Sequence, residues 1–319
     1  MDCSLARIFE IRAIGAVRTS CVTRYYRSTH GESTCLNNLS IILPAKNEGP
    51  ALAELLPRLR VAQPTAEIIV VDDGSTDDTR TICANNGVKC LSSPYSMGNG
   101  AAIKRGARAA TGEVLLFMDG DGQHDPADIA RLTEKLDQGY DMAVGARDWG
   151  SQAGVGRGIA NTLYNWLATR MTGHEVADLT SGFRAVKADR FQEFLYLLPN
   201  GFSYPTTSTM AFFRSAYPVA YVPIKAAQRM GKSHIKPLRD GVRFLLIIFK
   251  IATLYSPLKL FVPASALFFL LGCANYAWTY IREGRLTNMS TLMWSAAVIV
   301  FLIGLISEQI TALMYRRDA

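Results

Sequence analysis

From Leu39 onward, short apolar runs alternate with amphipathic stretches. Leu39 to Leu43, Glu67 to Val71, Val88 to Leu91, Val114 to Met118 and Asp141 to Val144 are strand-length and bounded by polar or glycine-rich segments, so each predicts a buried strand. Ala51 to Val61 and Thr76 to Asn86 carry apolar residues at helical spacing and predict helices between them. The alternation predicts an α/β domain of Rossmann-like type, a mostly parallel sheet with helices on both faces. Ligands bind such sheets beyond the carboxyl ends of the strands. Polar clusters stand at those ends: Pro44 to Glu48, Asp72 to Asp77, Asp119 to Gln123, and Gly145 to Arg147.

The last third has a different pattern. Leu260 to Ile281 and Leu292 to Met314 each have the roughly 20 apolar residues a helix needs to cross a bilayer core of about 30 Å. Trp278, Tyr280 and Tyr315 near their ends, and the short polar loop Arg282 to Asn288, predict a membrane hairpin rather than two buried core helices. Glu308 and Gln309 fall about two turns inside the second helix, where a polar group snorkels or faces protein. Arg239, Arg243 and Lys250 lie beside a dense apolar face that stops at Pro257, which predicts a helix in the headgroup plane. Lys236, Lys259, Arg316 and Arg317 then place the α/β domain and both termini on the cytoplasmic side, against a weaker pull from Arg282 and Arg285. The expected division is a basic N-terminal extension (1–37), the α/β domain (38–237), an interfacial helix (238–258), and a two-span hairpin with a short tail (259–319).

Composition agrees with a lipid-facing portion: 49% of residues are apolar and 19% charged. The net charge of +7 suits an anionic membrane or a phosphorylated substrate, and no long basic block with interleaved aromatics points to nucleic acid. Six scattered cysteines without Cys-x-x-Cys spacing indicate neither a zinc site nor a disulfide framework. Glu10 and Arg12 interrupt the only apolar run near the start, so residues 1–37 do not read as a secretion signal; a transit peptide or a surface helix is the alternative to an extension.

Asp119-Gly-Asp121 crowds two carboxylates at a strand end, where glycine lets the backbone turn sharply. Such a pair suits a hard divalent cation that keeps positions open for substrate phosphates, with Gln123 as a neutral third ligand. Taken alone, a simple turn or a calcium-type loop explains the pair equally well. Asp125, before Pro126, reads as a helix cap; His124 and Lys46 carry no assigned chemistry. Gly98-Asn-Gly100 opens a helix but lacks the Lys-Ser/Thr ending of a P-loop, so its glycines read at least equally as structural.

Leu43-Pro-Ala-Lys-Asn-Glu48, Val71-Asp-Asp-Gly-Ser-Thr-Asp77 and Asp119-Gly-Asp121, in that order, resemble the motifs of family 2 glycosyltransferases of the GT-A fold. The resemblance covers about Leu39 to Lys236. It implies that Pro44, Glu48, Asp72 and Asp73 contact the base and ribose of a nucleotide-diphospho-sugar, UDP- or GDP-linked. It also implies that Asp119, Asp121 and Gln123 hold Mg²⁺ or Mn²⁺ on the diphosphate. Arg147, Arg157, Asp178-Leu-Thr-Ser-Gly-Phe-Arg184, Arg229-Met-Gly-Lys-Ser233 and the hairpin resemble the polyprenyl-phosphate group of that family, which includes dolichol-phosphate mannose synthases and undecaprenyl-phosphate transferases. Arg147 and Arg157 are then the expected ligands of the acceptor phosphate, with Arg184 a further one. Arg229 and Ser233 belong to a lid over the donor, where Lys232, His234 or Lys236 supplies the cation. The implied partners are the donor, an undecaprenyl or dolichyl phosphate acceptor and the bilayer; self-association is left open. The acidic Glu-Asp pair of relatives that deprotonate a hydroxyl acceptor is missing here. A phosphate acceptor, with a second pKa near 6, needs no strong base. A family 2 polysaccharide synthase is disfavoured because Gln228-Arg-Met230 does not match Gln-x-x-Arg-Trp, and a noncatalytic lipid-binding subunit because Asp119 and Asp121 are intact.

Overall fold

Ser40, Ile41, Ile42 and Leu43 have no solvent exposure, as a strand covered on both faces requires. They form the first strand of a computed structural model that describes residues 38–147, 155–201, 203–225, 249, 253 and 255–314, with the backbone alone for 155–161 and 283. The strands are β1 (Leu39–Ala45), β2 (Glu67–Asp72), β3 (Lys89–Ser92), β4 (Val114–Phe117), β5 (Met142–Arg147), β6 (Arg184–Lys187) and β7 (Val219–Ile224). They make one seven-stranded sheet in the order β3-β2-β1-β4-β6-β5-β7. β6 runs antiparallel to β4 and β5, and the other neighbours are parallel.

The helices α1 (Gly49–Ala62), α2 (Thr79–Asn85), α3 (Asn99–Ala109), α4 (Asp128–Asp137), α5 (Val155–Thr172), α6 (Ala188–Gln192) and α7 (Tyr204–Arg214) connect the strands. One core joins Ile42, Ile69, Leu115 and Phe117 of the sheet to Ile103 of α3 and Phe212 of α7. Two expectations need correction. Asp125 is not the cap of α4: that position is Ala127, and Asp125 Oδ1 instead accepts the Ala127 N–H at 3.1 Å and pairs with Arg58 at 3.3 Å. The fifth strand begins one residue later and runs on to Arg147, so that arginine belongs to the strand end.

Glu67 clamps the left half of the sheet. Its carboxylate accepts from Ser40 Oγ in β1 (2.6 Å), from Lys89 Nζ in β3 (3.1 Å), and from the N–H of Thr111 ahead of β4 (2.9 Å). Desolvation opposes its ionisation, but these donors outweigh it and hold the pKa down to about 2. Because that lies below the unfolded value near 4.3, the stabilisation is complete above about pH 4 and fades as pH falls toward about 2. Glu67→Gln is expected to cost about 1–2 kcal/mol at pH 7 and progressively less below about pH 4. Thermal unfolding of detergent-solubilised wild type and variant at pH 7 and pH 3 checks this.

The chain ends in α8 (Leu258–Glu283) and α9 (Asn288–Met314), of 26 and 27 residues. At 1.5 Å per residue each is about 40 Å long, enough to span a bilayer core of about 30 Å. They form a hairpin held by polar contacts inside it: Ser265 Oγ donates to the Ala297 carbonyl (2.8 Å) and Asn275 Nδ2 to Ser290 Oγ (2.9 Å). Leu267, Leu270, Ile299, Ile306 and Leu313 point outward and exposed. Gln309 also points outward, whereas Glu308 faces Arg214 of α7. Residues 1–37 and most of the expected interfacial helix lie outside the described residues.

Candidate active site

β1 is flanked by β2 on one side and β4 on the other, so the chain changes direction across the sheet at this point. A crevice opens where the connections diverge, as open α/β sheets require. It has a volume of about 470 Å³ and is lined by Pro44 near the end of β1, Lys46 and Glu48 after it, Asp73 after β2, Gly98 and Asn99 at the start of α3, and Asp119, Gly120 and Asp121 after β4. Among the described residues, four carboxylates (Glu48, Asp73, Asp119, Asp121) and one ammonium (Lys46) line it.

The loops are tied to one another. Asn47, in the left-handed region at φ 55°, receives the Thr76 N–H on Oδ1 at 2.8 Å, and its own N–H donates to Ser75 Oγ at 2.9 Å. Asp73 accepts from Ser96 Oγ (2.6 Å) and from the N–H groups of Met97 (2.6 Å) and Gly98 (3.0 Å). Burial works against its charge, but these donors and nearby Lys46 hold its pKa below the ordinary carboxylate value. Asp72 differs from its expected role. It is fully buried, and its oxygens accept from the Ser75 N–H and from Arg80 Nε, both at 2.7 Å. It shapes the loop and does not line the crevice.

The glycine-rich turn at the start of α3 borders the crevice through Gly98 and Asn99, while Gly100 serves packing. A side chain on Gly100 would stand 1.9 Å from the Pro199 carbonyl oxygen, and the Ala101 N–H already donates to Asn200 O at 2.9 Å. Gly100 and the Ala101 N–H are therefore closed off by the 199–201 loop.

Asp119 and Asp121 sit on the crevice floor. The Gln123 N–H donates to Asp121 Oδ1 at 3.2 Å, closing the turn through Gly122 at φ 73°. His124 is 5% exposed, stacks on Phe183 with ring centroids 4.8 Å apart, and has no partner for Nδ1. Burial pushes its pKa down to about 4, so the imidazole is neutral at pH 7 and packs the loop onto the sheet. Gly182 was not singled out in the sequence, yet it borders the same carboxylate: a Cβ there would lie 2.9 Å from Asp119 Oδ2. Gly182→Ala is expected to displace Asp119 and lower turnover by about tenfold or more. Steady-state kinetics, with thermal unfolding to show that the fold persists, measures it.

Arg147 stands at the end of β5, near enough for the charge of Asp119 to act on it. Nε and Nη2 grip both oxygens of Asp178, at 2.8 and 3.1 Å, and Nη2 also donates to Thr180 Oγ1 at 2.7 Å. Asp178 has no exposure and takes four further bonds, from the N–H groups of Arg147 (3.3 Å), Thr180 (3.0 Å) and Ser181 (3.1 Å) and from Thr180 Oγ1 (3.1 Å). Burial opposes its ionisation; Arg147 and these N–H groups win and leave the pKa lowered. Arg184 does not join this group. It opens β6 between Phe117 of β4 and Val144 of β5, is fully buried, and spends Nη1 on Pro205 O, Ser208 Oγ and Thr209 Oγ1. An interior strand leaves such a side chain no route to solvent, so the expected phosphate contact is corrected to a brace for α7. Arg157 falls in α5 with its side chain outside the described residues, as are Arg229, Lys232, Ser233, His234 and Lys236.

The carboxylate oxygens of Asp119 and Asp121 fit a hard divalent ion. Among the described residues no group of three or more His, Cys, Asp or Glu forms a self-sufficient metal cage. A two-carboxylate site of this kind leaves coordination positions for phosphate oxygens.

Two family models match the chain: Glycosyl transferase family 2 over residues 40–195 and the GtrB C-terminal hairpin over residues 256–313. The glycosyltransferase AglJ of Haloferax volcanii is 27% identical over 228 residues, covering 69% of this chain and 74% of that protein. The undecaprenyl-phosphate 4-deoxy-4-formamido-L-arabinose transferase of Klebsiella pneumoniae is 32% identical over 162 residues, 48% of this chain; the chain spans about half (49%) of its length. Among solved structures, glucosyl-3-phosphoglycerate synthase from Mycobacterium tuberculosis in complex with Mn²⁺ and UDP-glucose superposes with a TM-score of 0.56 at 20% identity, covering 69% of this chain and 79% of that one. This last likeness shows the fold, which is of the GT-A type. With the sheet, the paired carboxylates and the hairpin all accounted for, the chain belongs to glycosyltransferase family 2.

Proposed function

We propose that the protein is an inverting, metal-dependent transferase that moves a sugar from a nucleotide-diphospho-sugar to the phosphate of a polyprenyl phosphate at the cytoplasmic membrane face. The observation that carries this reading is the polarity of the site: an acidic crevice beside an arginine aimed by a buried aspartate. A diphosphate cannot approach four carboxylates without a bridging cation, and Asp119 and Asp121, with Gln123 adjacent, are the groups to hold Mg²⁺ or Mn²⁺. When bound, such an ion neutralises charge on the leaving nucleoside diphosphate. A protein of the same fold carries Mn²⁺ with UDP-glucose, which supports this choice.

Pro44, Glu48 and Asp73 hold the nucleotide end. Arg147, whose Nε and Nη2 are spent on Asp178 and Thr180, receives the acceptor phosphate on Nη1, with Arg157 beside it, in a charge-assisted bond. The acceptor is already largely dianionic at neutral pH, so its oxygen attacks the anomeric carbon without a general base. Catalysis is then positioning and charge compensation. The relatives that carry undecaprenyl phosphate in their names, and the two apolar helices, support a lipid acceptor.

The test incubates membranes containing the protein with polyprenyl phosphate and radiolabelled UDP-glucose, GDP-mannose and other nucleotide sugars, with and without EDTA. An EDTA-sensitive label in the organic phase is the expected result. If no donor gives one, the proposal fails.

A further inference from the structure

The foot of the hairpin is fastened to the sheet domain by a helix-end cap, by an ion pair from a second capping residue, and by a tyrosine hydrogen bond. At the C-terminus of α5, Lys259 Nζ donates to the Met171 carbonyl (2.7 Å) and Tyr255 OH to the Thr172 carbonyl (3.3 Å), with the ammonium 5.5 Å from the Tyr255 ring centroid. A cation suits that helix end, where carbonyls are left unpaired. At the N-terminus of α8, Glu308 of α9 accepts from the Leu258 N–H and Ser256 Oγ, both at 3.3 Å, and its other oxygen lies 3.7 Å from Arg214 Nη2. An anion suits that end for the converse reason. Tyr196 OH donates to the Met314 carbonyl at the end of α9.

Both fastened helices lead to the arginine side of the crevice. Asn165 of α5 holds the loop that carries Asp178, accepting the Leu179 N–H at 3.0 Å and donating to the Ala177 carbonyl at 2.5 Å. α7 ends at Arg214, and its Ser208 and Thr209 hold Arg184, whose Nη2 holds the Ser181 carbonyl. None of these bonds touches the Asp73 loop, which is secured by Ser96, Met97 and Gly98.

We infer that Glu308 and Lys259 are positioning residues that set the acceptor side of the crevice at a defined height above the bilayer, and so govern access of a membrane-embedded acceptor without governing donor binding. The inference rests on the proposed polyprenyl-phosphate acceptor. A loosened foot lets the crevice tilt away from the headgroup plane. An acceptor confined to that plane then meets the site less often, whereas one arriving from water is indifferent to the tilt. Glu308→Gln keeps an oxygen for Leu258 and Ser256 but removes the charge facing Arg214; Lys259→Met keeps the apolar stem but removes the cap on α5.

The full-length protein is reconstituted in vesicles of phosphatidylethanolamine and phosphatidylglycerol, with the radiolabelled nucleotide sugars named above. Two acceptors are compared: undecaprenyl phosphate embedded in the vesicles and citronellyl phosphate added from water. Both variants are expected to raise the KM for undecaprenyl phosphate about fivefold or more, leaving the donor KM, the citronellyl phosphate KM and kcat within about twofold. An unchanged undecaprenyl phosphate KM, an equal rise for both acceptors, or a fall in kcat alone overturns the inference, the last marking a merely structural role. If wild type transfers to neither acceptor, the proposed function itself fails and this inference with it.

Discussion

Asp121→Asn lowers kcat by about a hundred- to a thousandfold, and Asp119→Asn does the same, the range found when one preorganised charge-stabilising group is removed from a site. Each substitution is isosteric, so side-chain packing is retained. Each also removes one of the four carboxylates lining the crevice, so repulsion among them falls and thermal stability is held or raised. A drop in rate with a steady unfolding midpoint therefore distinguishes a lost role in the reaction from a lost fold. The apparent affinity for Mn²⁺, from titration of activity after EDTA treatment, weakens in parallel. Turnover within threefold of wild type in both variants would remove these aspartates from the mechanism.

The second large effect is expected at the Arg147–Asp178 pair. Asp178 is fully buried while the Arg147 side chain keeps 29% of its exposure, so deleting the carboxylate strands a cation that can only partly rehydrate. Asp178→Ala is expected to cost about 2–3 kcal/mol, at or below the low end of what breaking a buried pair costs, because that exposure discounts it. The unfolding midpoint should drop accordingly. Arg147→Lys behaves differently: a point charge replaces the planar fork, and the two-point grip on Asp178 is lost. Its kcat/KM for the acceptor is expected to fall about tenfold to a hundredfold with little change in donor KM. Measuring both variants against both substrates separates aiming the guanidinium from holding the fold. A donor KM that moves as much as the acceptor KM would contradict the assignment of Arg147 to the acceptor.

The first five strands were legible because each is a run of apolar residues ended by a polar cluster, and burial on both faces demands that pattern. The motifs at their carboxyl ends could be placed at the crevice before any coordinates, since parallel topology puts such ends together. β6 and β7 were not legible. Arg184–Lys187 begins and ends with a cation, and Val219–Ile224 contains a proline, so neither reads as an apolar run. The motif's resemblance alone puts Arg184 at a phosphate; α7 lying over β6 is what takes up its guanidinium instead. Asp72 was misjudged on similar grounds. Two adjacent aspartates after a strand look equivalent in sequence, but successive residues point to opposite sides, and only Asp73 lines the crevice. Gly182 lies inside the motif Asp178 to Arg184 but shows no role of its own there, because its importance is the absence of a side chain against Asp119, more than sixty positions earlier in the chain.

The sequence by itself determined the class of the fold, the paired carboxylates, the two long apolar helices and the family, because local pattern and short motifs suffice for each. Only the tertiary structure decided which charges face the crevice and which brace the scaffold. It also decided that Arg147 is aimed by Asp178, and that Lys259 and Glu308 cap helices far from them in sequence. The reason is physical: whether a polar group touches substrate or protein depends on which donors and acceptors surround it, and those partners come from segments whose proximity only the folded chain creates.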